Sequence, residues 1–261
     1  MQPLFYSAAL AVGSLALPAA ADFVLVDDFE SYAPNASLPP QNGYSTTNGG
    51  SAAIVVADSD GADQAVSIAA GTDVTELSKN AFTIAEGTTG TVFNQLRFEG
   101  NDAPNYVQGY GSGVDFFGSS FAFKAQFGGG GTFGILAGND VDTGSQLIAD
   151  ATYNIFAVID NAVGTSDAFR LYIQSDDDAN YATLTQVGAG LTFTKSFGGQ
   201  PLAGDYTSLV FSSFDDVTPT IVDNYYVDTM GENLVNPIPI PEPGAIGVLG
   251  LATAGLLAKR R

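Results

Sequence analysis

The sequence has no cysteine, no histidine and no tryptophan, and only eight of its 261 residues are basic. Without histidine the usual general base is missing, which excludes Ser-His-Asp chemistry. Without cysteine the chain can form no disulfide, no Cys-based nucleophile and no Cys/His zinc site. Any bound metal must therefore be held by oxygen ligands, and calcium is the first candidate.

Positive charge is scarce relative to negative charge. The 28 Asp and Glu residues outnumber the eight basic residues and give a formal net charge of −20 at pH 7. Three of those basic residues are the last three of the chain, so the remainder is more acidic still. Such a charge repels nucleic acid and anionic membrane surfaces and attracts cations. We expect no nucleic-acid partner.

The first 21 residues have the pattern of a secretory signal peptide. Residues 4–17 are mostly apolar, and Ala19 and Ala21 supply the small side chains of an Ala-x-Ala cleavage site. We predict a signal helix over residues 1–21 and cleavage after Ala21, which makes Asp22 the mature N-terminus. The alternative is a buried N-terminal helix, which would have no need of a cleavage site.

The last 25 residues, 237–261, combine a proline-rich hinge, an apolar segment and a basic end. Residues 244–258 carry no charge, and as a helix they would reach roughly 22 Å, short of the ~30 Å hydrocarbon core of a bilayer. We therefore predict a short hydrophobic helix that spans a membrane only marginally. Its basic end would stay cytoplasmic, with the rest of the chain outside. The alternative is a C-terminal helix packed on the domain, although such helices normally have a polar face.

This tail resembles the PEP-CTERM sorting signal of exopolysaccharide-producing Gram-negative bacteria. The matching residues are Pro241, Glu242 and Pro243, the apolar stretch, and Lys259, Arg260 and Arg261. The resemblance implies an exosortase-type sorting protease as partner, transient anchoring in the inner membrane, and delivery to the cell surface or the extracellular polysaccharide matrix. Such a signal is recognised by another protein and is not a catalytic motif.

Residues 22–236, between the signal peptide and the sorting tail, have the pattern of a single all-β domain. It is rich in glycine and in short alternating apolar segments, and no window shows a sustained helical period. We predict irregular structure from 31 to 50, because Pro39 and Pro40 forbid regular pairing. So many strands favour an antiparallel two-sheet β-sandwich. The predicted strands are 23–30, 54–57, 64–69, 91–98, 121–127, 132–136, 152–160, 169–175, 191–197, 208–211 and 220–227. We predict that 54–57 pairs with 64–69, and 152–160 with 169–175, as antiparallel hairpins.

Three segments of the body resemble concanavalin A-like or laminin-G-like jelly-roll domains: Val26–Tyr32, Tyr153–Asn161 and Val222–Asp228. The resemblance implies a jelly roll whose first and last strands pair. It also implies a structural calcium where those strands meet, and the candidate ligands are Asp27, Asp28, Glu30 and Asp223. The alternative is that these carboxylates lie in solvent at a sheet edge, where charge opposes aggregation. The Asp-rich runs at 58–63 and 176–178 are predicted to be turns.

A candidate ligand-binding loop lies after residue 100. It offers amide, carboxylate and aromatic groups of the kind that lectins use: Asn101, Asp102, Asn105, Tyr106 and Tyr110. Such tyrosines can serve as a sugar platform or can pack over one end of the sandwich.

Catalysis is not expected. Retaining glycoside hydrolysis needs two carboxylates about 5 Å apart. The six glutamates do not form the Glu-x-Asp-x-x-Glu pattern of laminarinase-type jelly rolls. We predict a non-catalytic exported surface or matrix protein that binds glycan, calcium or both. The alternative is a carboxylate-dependent glycan hydrolase or lyase on the same fold.

Overall fold

The computed structural model describes most of the body of the chain. The signal segment 1–21 and the sorting residues Pro241, Glu242, Pro243, Lys259, Arg260 and Arg261 lie outside the described residues, as do Asn101 and Asp102. No helix in the described part is long and apolar enough to cross a membrane. The described residues are 22–38, 41–47, 54–57, 63–68, 75–98, 105–111, 123–128, 132–137, 140–146, 148, 150–164, 166–194, 196–197, 200–201, 204–213 and 220–238.

The described residues form seventeen β-strands and two short 3-10 helices, Gln41–Gly43 and Ala179–Tyr181. The strands are β1 (Val24–Asp27), β2 (Tyr44–Thr47), β3 (Ile54–Ala57), β4 (Gln64–Ile68), β5 (Thr75–Ile84), β6 (Thr88–Phe98), β7 (Asn105–Gly111), β8 (Phe123–Gly128), β9 (Thr132–Ala137), β10 (Asp140–Gln146), β11 (Tyr153–Asn161), β12 (Ser166–Gln174), β13 (Thr185–Thr194), β14 (Ser196–Phe197), β15 (Gln200–Pro201), β16 (Tyr206–Ser213) and β17 (Thr220–Asp228).

These strands make two antiparallel sheets, so the all-β sandwich is confirmed. Sheet A has eight strands in the order β13-β12-β11-β6-β17-β4-β3, and β1 also pairs with β17. Sheet B has seven strands in the order β10-β9-β8-β7-β16-β5-β2. β14 and β15 form a separate two-stranded pair. The predicted pairing of the first and last strands is confirmed, with Val24 opposite Val227.

The core lies between the two sheets and follows from strand alternation. On β11, Ile155, Ala157 and Ile159 belong to the buried core, whereas the alternate residues Asn154 and Asp160 are only half-buried. Because successive side chains of a strand point to opposite faces, the first set faces sheet B and the second faces away from it. We call the face of sheet A that points away from sheet B its outer face. Burying each large apolar side chain contributes about 1.5–3 kcal/mol.

The hairpins predicted from alternation are confirmed, and two segments predicted to be irregular are strands. β3 pairs with β4, and β11 pairs with β12. In contrast, β2 lies inside the segment 31–50, where Tyr44 is buried in the core and the strand pairs with β5. The predicted loop after residue 100 is also wrong in part, because β7 pairs with both β16 and β8.

Buried tyrosine–aspartate hydrogen bonds fasten the loops and sheets to one another. The hydroxyl of Tyr206 on sheet B donates to Asp167 on sheet A at 2.6 Å. The hydroxyl of Tyr153 donates to Asp178 at 2.8 Å, and the other carboxylate oxygen of Asp178 caps the 3-10 helix that follows it. A buried carboxylate is stable only when donors satisfy it, so each of these pairs fixes the position of both its partners.

After β17 the chain turns back across the outer face of sheet A, and we call residues 229–238 the C-terminal strap. The hydroxyl of Thr91 donates to the Gly231 carbonyl at 2.9 Å and accepts from the Asn233 amide at 2.9 Å. The side-chain amide of Asn233 donates to Asp228 at 3.0 Å. The strap is therefore bonded to sheet A as far as Asn233, beyond the end of the last strand.

A truncation series tests the extent of the folded unit. A chain ending at residue 238 should keep the free energy of unfolding of the full chain. A chain ending at residue 230 should lose about 3 kcal/mol, because it lacks three hydrogen bonds of the strap that contribute about 1 kcal/mol each. Urea unfolding of both chains measures the difference, and equal stability of the two would show that the strap adds nothing to the fold.

Candidate functional site

The outer face of sheet A carries side chains in cross-strand rows. The polar row consists of Gln174, Asn154, Gln95 and Asp223, which are successive register partners on β12, β11, β6 and β17. The aromatic row lies beside it and consists of Tyr172, Phe156, Phe93 and Tyr226 on the same four strands. Neighbouring partners on one face lie about 4.5–5.5 Å apart at Cβ, so each row can act as a unit.

A β-bulge in β17 builds the end of the polar row. The register with β6 shifts between Asp223 and Tyr226, and within the bulge Asn224 has a φ of 52°. Asparagine tolerates this left-handed conformation better than most residues, and a bulge redirects side chains from the strand. As a result, the side chains of Asp223 and Asn224 meet at one place, next to Gln95.

Hydrogen bonds hold the polar row in one arrangement. Gln95 Nε2 donates to Asn154 Oδ1 at 3.0 Å, and Asn224 Nδ2 donates to Gln95 Oε1 at 2.9 Å. The carboxylate of Asp223 accepts from the backbone and side-chain N–H groups of Asn224 at 2.7 and 2.8 Å. The chain of bonds fixes the orientation of every amide along it.

A shallow cleft, open to solvent and with room for about one water molecule, lies at this end of the row. Its lining combines a carboxylate, an amide, a guanidinium and a hydroxyl with apolar walls. The residues are Gln95, Leu96, Arg97, Thr152, Ile221 and Asp223. Asp223 is only 5% exposed, so its carboxylate is largely withdrawn from water. Fixed polar groups beside apolar walls are typical of ligand-binding surfaces.

The aromatic row packs tightly and is covered by the N-terminal segment. Phe93 and Phe156 meet edge-on with ring centroids 4.9 Å apart. Phe23 lies over them, 6.1 and 6.4 Å from the two rings, and 6.5 Å from Tyr226. Burial, and then the charges of Asp28 and Asp223, raises the pKa of Tyr226. Its hydroxyl therefore stays protonated at neutral pH and keeps a hydrogen to donate.

The four residues predicted to hold calcium do not form one ligand set. Asp27 is buried, and its carboxylate accepts from Tyr32 at 2.8 Å and from the Phe29 amide at 3.0 Å. Asp28 accepts from the Glu30 amide at 3.3 Å. A hydrogen bond that the protonated Glu30 carboxyl donates to Asp63, followed by burial, raises the pKa of Glu30.

Asp223 belongs to the polar row on the outer face. Across the described ranges, no three acidic side chains are grouped as a metal site requires. These four carboxylates therefore do not fit a calcium ion as a single site.

The predicted ligand-binding loop is also rearranged. Asn105, Tyr106 and Tyr110 lie within β7, near the middle of sheet B, and therefore not on a loop. The polar row itself was missed as a site, although Asp223 was named for another role. Alternation along β6 does predict that Gln95 lies on the face of the sheet that points away from the core. The row becomes visible only when the strand partners are known.

Comparisons with solved structures agree with the sandwich. The chain is similar to a sialidase with 13% identity and a TM-score of 0.50; the match covers 79% of this chain and 18% of the sialidase. It is also similar to the carbohydrate recognition domain of Emp47p (9% identity, TM-score 0.47, 82% of this chain and 99% of that domain). A third similar structure is the marine PL-14 alginate lyase from Aplysia kurodai (10% identity, TM-score 0.43, 71% and 86%).

Identities this low show a shared fold and nothing more, and of these three only the sialidase match reaches a TM-score of 0.50. The chain spans less than a fifth of the length of that sialidase. No protein-family model matches the sequence, and no curated protein matches it.

Proposed function

We propose that this protein is a non-catalytic, exported glycan-binding protein and that the polar row on sheet A is its binding site. The observation that carries the proposal is the bulge in β17, which brings Asp223 and Asn224 together beside Gln95 at an open cleft. A non-glycine residue held at positive φ is costly and clusters at functional sites.

The chemistry of the row suits sugar hydroxyls. A sugar hydroxyl both donates and accepts a hydrogen bond, and amides offer both functions while a carboxylate accepts strongly. The Asn154–Gln95–Asn224 chain presents the amides at fixed angles, so little side-chain entropy remains to be lost on binding. A neighbouring aromatic surface is offered by Tyr226, which is half-buried.

The lining of the cleft also argues against hydrolysis at this place. Glycoside hydrolysis uses a pair of carboxylates, about 5 Å apart in retaining enzymes and further apart in inverting ones. The described lining of this cleft has a single carboxylate, Asp223. A binding role needs no second one.

The export part of the proposal rests on the two ends of the sequence. The signal peptide would take the chain across the inner membrane, and the PEP-CTERM-like tail would hold it there until a sorting protease acts. Deleting residues 237–261 should then move the protein from the envelope or matrix fraction into the medium. Fractionation of cells that express the full and the shortened chain measures this, and an unchanged distribution would contradict the sorting role.

Glycan-array screening of the full chain, followed by titration of the best ligand, tests the site. Asp223→Asn and Gln95→Ala should each weaken binding at least tenfold, because each removes a group from the cleft. Asp176→Asn, at an exposed turn position of another loop, is the matched control and should bind as the natural chain does. Unchanged binding in both site variants would reject this site, and release of shorter sugars during the titration would favour a hydrolase or lyase instead.

A further inference from the structure

The strap brings the carboxylate of Glu232 to Arg170 and Tyr172, which lie at the other end of the outer face. Glu232 Oε2 lies 2.9 Å from Arg170 Nη1, and Glu232 Oε1 accepts from the hydroxyl of Tyr172 at 3.2 Å. Each oxygen of the carboxylate therefore has its own donor. Arginine is the side chain best suited to carboxylates, because its planar fork offers several N–H groups in fixed directions.

The arginine keeps its position without Glu232. Its Nη2 lies 3.1 and 3.3 Å from the two oxygens of Asp160, and Thr89 donates to that carboxylate at 2.7 Å. A methyl group at Gly190 would lie 3.0 Å from the Arg170 side chain, so the absence of a side chain there leaves room for the arginine stem. If Glu232 moves away, the Nη1 side of the guanidinium remains oriented and becomes available.

Glu232 is held only loosely compared with the buried pairs. The side chains of Arg170 and Glu232 are 31% and 34% exposed. An ion pair of this exposure contributes little to stability, so a competing carboxylate can displace it at small cost. The displaced Glu232 carboxylate is free to turn into solvent, and at physiological salt charges more than about 8 Å from the guanidinium are largely screened.

We propose that Arg170 and Tyr172 form a subsite for the carboxylate of an acidic sugar, a hexuronate, and that Glu232 occupies this subsite while no such sugar is bound. Tyr172 ends the aromatic row, which runs beside the polar row across the same four strands. The subsite and Asp223 are three strand spacings, ~14 Å, apart across the sheet, and Tyr172 is displaced a further ~7 Å along the strands. One oligosaccharide that crosses the strands obliquely can therefore reach both. The inference rests on the proposed glycan binding, and it adds that one of the bound sugars carries a negative charge.

Titration of the full chain with galacturonate tetramer and with its methyl ester, at physiological salt, tests the subsite. The ester has the same ring and length but no charge, so it serves as the matched ligand. Glu232→Gln should bind the acidic tetramer at least fivefold more tightly than the natural chain, because the internal competitor is weakened. It should bind the ester with unchanged affinity. Arg170→Lys in the Glu232→Gln background should remove the gain, because the ammonium lacks the fork.

Tyr172→Phe in the same background should remove part of the gain and leaves the Arg170–Asp160 ion pair intact, so it covers the case in which the arginine variant fails to fold. Equal affinity of the Glu232→Gln and natural chains for the acidic tetramer would overturn the subsite. So would an equal gain for the ester. Either result can occur while Asp223→Asn still weakens neutral glycans, so failure of the subsite and failure of the polar-row site are distinguishable.

Discussion

Replacing Tyr206 by phenylalanine should lower the free energy of unfolding by about 3 kcal/mol. Its hydroxyl donates to Asp167 at 2.6 Å, and Asp167 is 0% exposed. Hydrogen bonds to charged groups contribute about 1.5–3 kcal/mol, and a buried charged acceptor that loses its donor costs more. The bond also joins sheet B to sheet A, so its loss weakens the contact between the two layers. Denaturant unfolding at constant m-value measures the change.

Tyr172→Phe is the matched control for this experiment. It removes a hydroxyl that donates to the half-exposed Glu232 at 3.2 Å. Water can replace that bond, so the expected loss is less than about 0.5 kcal/mol. If the two variants lose the same stability, the buried pair contributes no more than a surface bond, and the account of how the sheets are joined is wrong.

The protein should lose stability steeply above pH 10. Burial is the first cause that raises the pKa of several tyrosines, to about 12 for Tyr32 and further above the usual value for Tyr44, Tyr206 and Tyr225. The folded chain keeps these protons to a higher pH than the unfolded chain, in which tyrosine titrates near 10. The stabilisation is therefore complete below about pH 10 and is lost as the pH rises through the folded-state values.

Urea midpoints measured from pH 8 to pH 12, together with the absorbance of ionised tyrosine, check this expectation. Unfolding and tyrosine ionisation should occur together, because the buried hydroxyls ionise only when the structure opens. In the Tyr206→Phe variant the decline above pH 10 should be shallower. Tyrosines that ionise gradually near pH 10 without unfolding would show that these hydroxyls reach water in the folded protein.

The sequence predicts well those parts of the fold in which a strand carries its own signal. β11 and β12 alternate clearly between apolar and polar residues, so their hairpin was predicted with nearly correct bounds. β2 and β7 were missed, because their residues become strands through partners that are distant in sequence. Tyr44, for instance, sits opposite Lys79 of β5. Glycine and asparagine in β7 weaken its local signal, whereas pairing on both sides supplies the hydrogen bonds that keep it in the sheet.

The candidate site was less predictable than the fold, for a related reason. Gln95, Asn154 and Asn224 lie far apart in the sequence, and only the strand register brings them together. The bulge is equally hidden, because a left-handed asparagine cannot be read from residue types alone. For Asp27 the place in the fold was predicted correctly, but the surroundings of its side chain were not. Asp27 does pair with the last strand, but the register shifts between Leu25 and Asp27, and its side chain is buried and bonded to Tyr32.

The pairing of β1 with β17 sets how the protein responds to mechanical load. Val24, at the start of β1, is opposite Val227, near the end of β17, so the first strand begins and the last strand ends at one corner of sheet A. Bonds between antiparallel strands run perpendicular to the strands. A force that pulls the two ends apart therefore opens these bonds one after another, like a zipper, and does not shear them all at once. A protein held by its tail while its other end is pulled should yield first at this corner, after the strap has peeled away, and at low force.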